Sequence, residues 1–336
     1  MVATMKRIVS FFGDDSDIFQ ELNKKADAYA ASLDMEYEWI PQLPFSKDSV
    51  IQELKKSDAG IIDIEPYDED IFSKIEDRAK ILVRFGVGFD KVDLETASKH
   101  GIAIARTTGA NTTAVAEMAL TLMLACKRLI IKGQKCVMTG NWVKDVGHEI
   151  INGTVGIIGF GVIGRRLAKL LSGFDCRIVV YDPYPNLNLI QELGVELLPL
   201  DELLQISDAI SIHVPLLKET TNMIGRNELK LMKESAVLVN TSRGGIVDEN
   251  ALYEALSNGV IAGAGFDVFA IEPLPLDSPL LKLENVILTP HVSSQTVESL
   301  WNIYKMAIDI VYDFYHKKDF SNILNPDYIN ADKYNV

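Results

Sequence analysis

The chain has 336 residues, of which 48% are hydrophobic, and its 47 acidic and 33 basic side chains give a formal net charge of −14. This length suits two domains of ordinary size, and the apolar content is sufficient to build a core in each of them. The acidic balance argues against nucleic acid and anionic membrane surfaces as partners, because both bind clustered lysine and arginine.

The spacing of the cysteines and the length of the apolar segments indicate the cellular compartment of the protein. Cys126, Cys136 and Cys176 are an odd number without C-x-x-C spacing. This pattern favours reduced, mostly buried thiols in a cytoplasmic protein over a disulfide framework. The longest apolar helical candidate, 118–126, is far shorter than the roughly 20 residues of a membrane helix, and no secretory signal is recognisable. The sequence therefore predicts a soluble protein.

The first hundred residues alternate short apolar runs with segments of helical periodicity. Strands are predicted over 7–12, 37–40, 60–64, 81–85 and 102–105, and helices over 18–33, 49–56, 71–77 and 94–100. Strands that alternate with helices predict a parallel, doubly wound sheet with helices on both faces.

The longest helical pattern covers 111–131. Asn111 and Thr112 are residue types that cap helix N-termini, and Gly133 follows where the pattern ends. The middle of this segment is apolar nearly all round, which predicts a helix buried between packed layers. Residues 142–151, which begin with Trp142, are expected to form a loop or arm.

The segment 153–182 has the arrangement of a dinucleotide-binding turn. An apolar strand, 154–158, is followed by Gly159, Gly161 and Gly164 as G-x-G-x-x-G, and a helix is predicted from about residue 162. The first glycine permits a tight turn, the second lets a pyrophosphate approach the backbone, and the third allows close helix–strand packing. The start of the helix offers free N–H groups to the phosphates.

A second apolar run, 177–181, ends in Asp182, about 20 residues beyond the glycines. A carboxylate at this point can accept hydrogen bonds from both ribose hydroxyls and would repel a 2′-phosphate. A merely structural glycine turn is the alternative, because G-x-G-x-x-G by itself is weak evidence. The ordered strand, turn, helix, strand and acid favour a nucleotide site, with NAD preferred over NADP.

The α/β alternation continues beyond this segment. Strands are predicted over 209–214, 236–240, 261–268 and 286–289, and helices over 201–205, 227–230, 249–257 and 295–315. The predicted fold class is therefore α/β, with two doubly wound parallel-sheet domains of the Rossmann-like or flavodoxin-like kind and a cleft between them.

Four polar residues follow predicted strands in the second half. Arg243 comes just after one strand, Asp267 ends the next, Glu272 lies in the loop beyond it, and His291 follows the last strand. Ligands of open α/β sheets bind outside the carboxyl ends of the strands. Taken singly, the arginine could pair on the surface, the glutamate could be solvated and the histidine could be structural. Together they predict a functional site, and no metal site is predicted.

Seven motifs together resemble the D-2-hydroxyacid dehydrogenase family, in its phosphoglycerate dehydrogenase-like branch. They occur in the family's order from about residue 84 to residue 294, and in combination they are highly specific. The motifs are RFGVGFD from Arg84, NTTAVAE from Asn111, GFGVIG from Gly159, HVPL from His213, NTSRGGIVDE from Asn240, GFDVFAIEPLP from Gly265 and TPHVSS from Thr289.

The resemblance implies a role for each matching residue. Arg243 would bind the substrate carboxylate and polarise the C2 carbonyl, while His291 would act as general acid in reduction and general base in oxidation. Glu272 would hydrogen-bond His291 and fix its tautomer. The substrate site would also include Arg84, Val87 and Gly88, the last two through backbone N–H groups. Asp267 would hold the nicotinamide carboxamide. The remaining predicted NAD-binding residues are Gly159, Gly161, Val162, Ile163, Gly164, Asp182, His213, Val214, Pro215, Thr241, Ser242 and Ser293.

The resemblance also implies a discontinuous architecture. A substrate domain of residues 1–108 would be completed by 297–336, and an NAD-binding domain of residues 109–296 would be inserted between these parts. A cleft between the domains would close on the substrate. The partners expected are a small 2-keto or 2-hydroxy acid and a second copy of the chain, joined through the NAD-binding domain and the arm that contains Trp142.

Three departures from the family pattern affect the expected substrate. Asp63 and Glu65 stand where phosphoglycerate dehydrogenases usually carry an arginine, and two acids would repel a substrate phosphate. Ser293 and Ser294 replace a common Gly-Ala pair, and the chain ends near its closing helix without a regulatory domain. A short acid such as glyoxylate, hydroxypyruvate or pyruvate is therefore favoured, with 3-phosphoglycerate left open.

Two alternatives share this fold. An NAD(H)-sensing protein similar to the C-terminal binding protein corepressors would carry the same three site residues, but those proteins have extended tails that this sequence lacks. Formate or phosphonate oxidation is less favoured, since formate dehydrogenases that resemble this chain carry glutamine where Glu272 stands.

Overall fold

The computed structural model describes residues 5–333, with side chains described for residues 5–330. The described chain divides into two compact units. Unit 1 consists of the residues up to Asn111 together with those from Thr296 onward, and unit 2 runs from Thr112 to Gln295. The polypeptide therefore leaves unit 1 once and returns to it.

Unit 1 contains a five-stranded parallel sheet whose short strands are mostly buried. The strand order is β2-β1-β3-β4-β5, which is a doubly wound arrangement of the flavodoxin type. Every residue of β3 and β4 is buried, as expected for strands that are covered by helices on both faces. The strands are β1 (Lys6–Ser10), β2 (Met35–Trp39), β3 (Ala59–Ile62), β4 (Ile81–Arg84) and β5 (Ala103–Arg106), and the helices are α1 (Asp17–Ala31), α2 (Lys47–Leu54), α3 (Glu69–Ile75) and α4 (Leu94–Lys99).

Unit 2 contains a seven-stranded parallel sheet. Its helices are α5 (Thr112–Lys127), α6 (Ile130–Met138), α7 (Val162–Leu171), α8 (Leu187–Glu192), α9 (Leu200–Ile206), α10 (Arg226–Leu231) and α11 (Glu249–Ser257). Its strands are β6 (Thr154–Ile158), β7 (Arg177–Tyr181), β8 (Glu196–Leu197), β9 (Ala209–Ile212), β10 (Val237–Asn240), β11 (Gly263–Phe266) and β12 (Val286–Leu288). The chain then returns to unit 1 through α12 (Val297–Tyr312).

The strand order of unit 2 places a topological switch point beside the glycine-rich turn. The order is β12-β11-β10-β9-β6-β7-β8. Strands β7 and β8 extend the sheet on one side of β6, and the chain then crosses to the other side, where β9 lies next to β6. Loops that leave two such neighbouring strands diverge and open a crevice at their carboxyl ends, where ligands bind in this class of fold. The turn that follows β6 and the loop that follows β9 flank this crevice.

The single helix predicted over 111–131 is interrupted at residues 128–129. Two helices occupy the region, because Leu129 has a left-handed backbone with φ 54° and interrupts the hydrogen-bond ladder. Gly133 lies inside α6 and does not end a helix. Helices α6 and α8 and the short strand β8 were not predicted.

The expectation that the cysteines are mostly buried was also wrong. Cys126 is buried, whereas Cys136 and Cys176 are partly exposed. No helix in the part of the chain that the structure describes is both long and apolar enough to span a bilayer.

A histidine bridge in unit 1 predicts a pH-dependent contribution to stability. The His100 ring contacts Glu76 through Nδ1 and Glu69, at 3.0 Å, through Nε2, which ties the end of α4 to both ends of α3. Burial opposes protonation, but the two carboxylates prevail and raise the pKa of His100 above its ordinary value of 6.5. The stabilisation is therefore complete below about pH 6.5 and is lost as the pH rises through the higher folded-state pKa.

We expect His100→Gln to lower the free energy of unfolding by about 0.5–1 kcal/mol near pH 6, because both carboxylates are partly solvated. The loss should shrink in alkaline buffer. Urea denaturation at acidic and alkaline pH measures this difference. In a Glu69→Gln/Glu76→Gln background the same substitution should have no pH-dependent effect. An equal loss at both pH values in the wild-type background would contradict the prediction.

Candidate active site

The glycine-rich turn joins β6 to α7 in a conformation that only glycine accommodates at two of its positions. Gly159 has φ +94°, and a Cβ atom there would lie 2.7 Å from the carbonyl carbon of His213. A Cβ atom at Gly164 would lie 2.2 Å from the carbonyl oxygen of Gly159. A Cβ atom at Gly161 would meet no atom within 4 Å. The first and third glycines thus close the turn, and the second leaves open space beside the N-terminus of α7.

Asp182 is held directly beside this turn. One carboxylate oxygen accepts the backbone N–H of Phe160 at 2.7 Å, and the other accepts that of Tyr184 at 2.8 Å. A carboxylate has about four acceptor positions, so each oxygen retains capacity for a hydroxyl. This arrangement can accept the two hydroxyls of a ribose.

Two buried polar atoms at the crevice have no hydrogen-bond partner among the described residues. They are Oγ1 of Thr241, after β10, and Nδ1 of His213, after β9. The other ring nitrogen of His213 lies 2.9 Å from Oγ of Ser211, and burial lowers the pKa of His213 to about 4, so the ring is neutral near pH 7. Buried polar atoms normally have a partner. The open space at Gly161, the acceptor at Asp182 and these unpaired atoms together fit a bound dinucleotide.

The loop that carries Arg243 is fixed by Asn240, a buried residue at the end of β10. The Asn240 side chain donates to the carbonyl of Arg243 at 2.9 Å and accepts the N–H of Ser242 at 3.0 Å. The hydroxyl of Ser242 in turn donates to the carbonyl of Val214. No role was predicted for Asn240. An asparagine at a strand end, two residues before a serine, is the sequence pattern of an Asx turn and could have indicated it.

His291 and Glu272 form a close pair. Nδ1 of His291 lies 2.8 Å from Oε2 of Glu272, and Oε1 of the glutamate accepts the N–H of Phe269 at 3.0 Å. Burial by itself would raise the pKa of Glu272, but these hydrogen bonds and the nearby charge of Arg243 lower it below its ordinary value. An ionised Glu272 keeps a proton on Nδ1 and leaves Nε2 to exchange a proton with a ligand.

The turn that carries His291 is organised around Asp267. This carboxylate is fully buried and accepts four hydrogen bonds: from Oγ1 of Thr289, N of Val292, and both N and Oγ of Ser293. His291 has a left-handed backbone with φ 54°, a conformation that non-glycine residues adopt only when their surroundings enforce it. Asp267 therefore stabilises the strained turn, and the nicotinamide contact predicted for it stays a prediction.

The structure brings the three predicted catalytic loops together within unit 2. Gly244, next to Arg243, packs directly on the backbone of residues 269–270, from which Glu272 follows and reaches His291. In unit 1, Val87 and Gly88 lie half-buried in the loop after β4. The guanidinium of Arg84 is buried and donates to the carbonyls of Ile62 and Phe85, and the substrate contact predicted for it stays a prediction.

A dinucleotide crevice next to an arginine and a glutamate–histidine pair defines the class of protein: a nicotinamide-dependent oxidoreductase of the α/β type. The described residues contain no group of three or more histidine, cysteine, aspartate or glutamate side chains arranged to bind a metal ion.

Comparisons with known proteins specify the family. Residues 120–293 match the family model for the NAD binding domain of D-isomer specific 2-hydroxyacid dehydrogenases. The chain is 39% identical to a glyoxylate reductase of Korarchaeum cryptofilum over 87% of this chain and 90% of that protein. The chain belongs to the D-isomer specific 2-hydroxyacid dehydrogenase family, and it is an NAD-dependent oxidoreductase that acts on CH–OH groups.

Solved structures agree with this assignment. The fold resembles D-2-hydroxyisocaproate dehydrogenase with a TM-score of 0.84 and 27% identity, over 95% of this chain and 99% of that one. It also resembles the NAD complex of a formate dehydrogenase from Staphylococcus aureus, with a TM-score of 0.79 and 31% identity over 95% and 98% of the two chains. The predicted fold class of two parallel α/β sheets is confirmed.

Proposed function

We propose that the protein reduces a short 2-keto acid of the glyoxylate, hydroxypyruvate or pyruvate type to the D-2-hydroxy acid, with NADH as the reductant. The observation that carries this proposal is the 2.8 Å contact between His291 and Glu272, with the charge of Arg243 close enough to lower the pKa of the glutamate. A cation and a proton donor are the two groups that reduction of an anionic keto acid requires.

The residues that would hold NADH are those of the 159–164 turn, Asp182 and Thr241, and the bound cofactor supplies a hydride for C2 of the substrate. Arg243 would bind the substrate carboxylate and hydrogen-bond the C2 oxygen, which orients the carbonyl and offsets the negative charge that develops on it. Asn240 fixes the main chain at Arg243, and Nη1 of Arg243 donates to the carbonyl of Ser242 at 2.7 Å, which holds the side chain.

His291 would deliver the proton. Its Nδ1 is occupied by Glu272, so Nε2 is the nitrogen that would protonate the C2 oxygen in reduction and accept the proton back in oxidation. Glu272 stabilises the charged ring and holds its orientation, much as the acid of a hydrolase triad does. In unit 1, the backbone amides of Val87 and Gly88 would bind the substrate carboxylate.

Two observations support a short, singly charged substrate. The K. cryptofilum relative is named as a glyoxylate reductase. In addition, Asp63 and Glu65 follow β3 at the carboxyl edge of the unit 1 sheet, where their charges would disfavour a substrate phosphate. The glutamate at position 272 disfavours formate oxidation, in line with the sequence interpretation.

A homodimer is the assembly we propose. The arm between α6 and β6 leaves Trp142, Val143 and Val146 at least 66% exposed, and Met138 at the end of α6 is 77% exposed. Such a group of solvent-facing apolar side chains is typical of an interaction surface.

A substrate panel tests the proposal. We expect NADH-dependent reduction of glyoxylate, hydroxypyruvate or pyruvate with the highest kcat/KM, lower values for 2-ketobutyrate and 2-ketoisocaproate, and little activity with 3-phosphohydroxypyruvate or with NADPH. The assay is the loss of NADH absorbance, with product configuration determined by chiral chromatography. Tight NADH binding without turnover of any acid would contradict the proposal and favour a sensor.

A further inference from the structure

The loop after β4 presents two adjacent backbone N–H groups that donate no hydrogen bond within the described chain. They belong to Val87 and Gly88, which are half-buried and follow Gly86, a residue with φ +117°. Two neighbouring N–H groups that point away from the backbone ladder can bind one carboxylate. The shape of this 85–88 loop therefore decides whether both amides can contact the same anion.

Residues at the end of β5 fix one side of the loop. The N–H of Gly86 donates to Oγ1 of Thr107 at 2.9 Å, and the N–H of Thr107 donates back to the carbonyl of Gly86 at 3.2 Å. Thr107 is fully buried. Arg106 contributes a long hydrogen bond of 3.5 Å to the carbonyl of Val87.

Arg84 fixes the other side. Its side chain is 7% exposed, and Nη1 donates to the carbonyl of Phe85 at 2.9 Å and to that of Ile62 at 3.3 Å. Oδ1 of Asp63 lies 3.7 Å from the same nitrogen and also accepts the N–H of Ile64 at 2.8 Å. The guanidinium thus connects the first residue of the loop to the end of β3.

We propose that Arg84 is a positioning residue that shapes the 85–88 loop through main-chain carbonyls, with Asp63 as its counter-charge, and that it does not bind the substrate. This inference rests on the proposed function, because it assumes that the amides of Val87 and Gly88 bind the substrate carboxylate. It also gives Asp63 a role in substrate binding.

The effect of removing the Asp63 charge distinguishes positioning from direct binding by its sign. If Arg84 contacted the substrate, Asp63 would compete for it, and Asp63→Asn would strengthen binding of the anion. If Arg84 positions the loop, the same substitution loosens the guanidinium and weakens binding, even though a negative charge has been removed. Asparagine is of equal size and can still accept the N–H of Ile64.

We expect Asp63→Asn to raise the KM of the best 2-keto acid about three- to tenfold, with kcat and the KM of NADH changed less than about twofold. Glu65→Gln is the matched control, because it removes an equal charge two residues further on. Its KM for the keto acid should stay the same or fall slightly. A KM that falls in Asp63→Asn as it does in the control would overturn the inference.

A second pair of variants tests the loop without altering charge. Thr107→Val removes the hydroxyl that receives the N–H of Gly86 but keeps the side-chain volume, and Thr107→Ser restores the hydroxyl. We expect the valine variant to raise the KM of the keto acid by about tenfold and the serine variant to remain within about twofold of wild type. Equal KM values for wild type and the valine variant would show that the loop shape is unimportant.

Arg84→Lys keeps the positive charge but loses the guanidinium, whose Nη1 donates to both carbonyls. We expect a further rise in KM for the keto acid, with NADH binding unchanged. If this variant fails to fold, Asp63→Asn and Thr107→Val still decide the question. A wild-type protein that reduces no 2-keto acid would contradict the proposed function itself. That result differs from one in which the wild type is active and the variants show unchanged KM values, which would contradict only the role of Arg84.

Discussion

Replacement of His291 by glutamine is expected to lower kcat for 2-keto acid reduction by about 10²- to 10⁴-fold. The glutamine amide can still donate to Glu272, but it cannot transfer a proton to the C2 oxygen. The dissociation constant of NADH should change little, since the proposed dinucleotide contacts involve the 159–164 turn and Asp182. Steady-state kinetics with the best acid of the panel, together with NADH binding by fluorescence, measure both effects.

Glu272→Gln is the informative companion to this variant. It leaves the imidazole in place and removes the charge that stabilises its protonated form, so we expect a smaller loss of kcat, about tenfold. The pKa of Glu272 is lowered in the folded protein from its ordinary value of 4.5. The carboxylate therefore stays ionised and paired with His291 at pH 4.5 and above, and the pairing is lost only as the pH falls through the lowered pKa. Activity of His291→Gln within about tenfold of wild type would exclude His291 as the acid.

Gly244→Ala is expected to disrupt the site and to destabilise unit 2. The added Cβ atom would lie 1.9 Å from the carbonyl carbon of Phe269 and 2.4 Å from the amide nitrogen of Ala270. Both atoms are backbone, so no side chain can rotate away, and the loops of Arg243 and Glu272 must separate. We expect the free energy of unfolding to fall by about 3 kcal/mol or more, and kcat/KM to fall at least about a hundredfold.

Gly161→Ala is a matched control for the same chemical change. A Cβ atom at Gly161 would meet nothing within 4 Å, and the backbone there has φ −69°, which alanine adopts readily. Its unfolding free energy should remain within about 0.5 kcal/mol of wild type, while the dissociation constant of NADH rises because the pyrophosphate loses close access to the backbone. Thermal and urea denaturation of the two variants should therefore differ sharply. A Gly244→Ala protein with wild-type stability would show that the two loops are not in contact.

Much of the architecture was predictable because it depends on local patterns. Short apolar runs between amphipathic segments predicted two parallel sheets, since strands buried on both faces must be apolar throughout. The order of Gly159, Gly161, Gly164 and Asp182 predicted the nucleotide turn, because tight turns and close approach have strict local requirements. Arg243, Glu272 and His291 were identifiable through their positions after strands and through the motifs around them.

The rest depended on contacts between residues far apart in the chain. The sequence could not show that Leu129 interrupts a helix, because leucine is a good helix former and rarely adopts a left-handed backbone. Asp267 and Arg84 had the residue types of ligand-binding groups. Only the tertiary structure showed that Asp267 accepts four hydrogen bonds from the His291 turn and that Arg84 is directed into unit 1.

The sequence by itself determined which residues lie at the carboxyl ends of strands, since strand order along the chain follows from periodicity. The tertiary structure decided which of those residues remain available to a ligand, because a buried charge or carbonyl is satisfied by whichever partner the fold brings near it. The side chain of Asn240 donates to the carbonyl of Arg243, and Oγ1 of Thr107 accepts the N–H of Gly86 in the 85–88 loop. The type of neither residue alone predicts these hydrogen bonds.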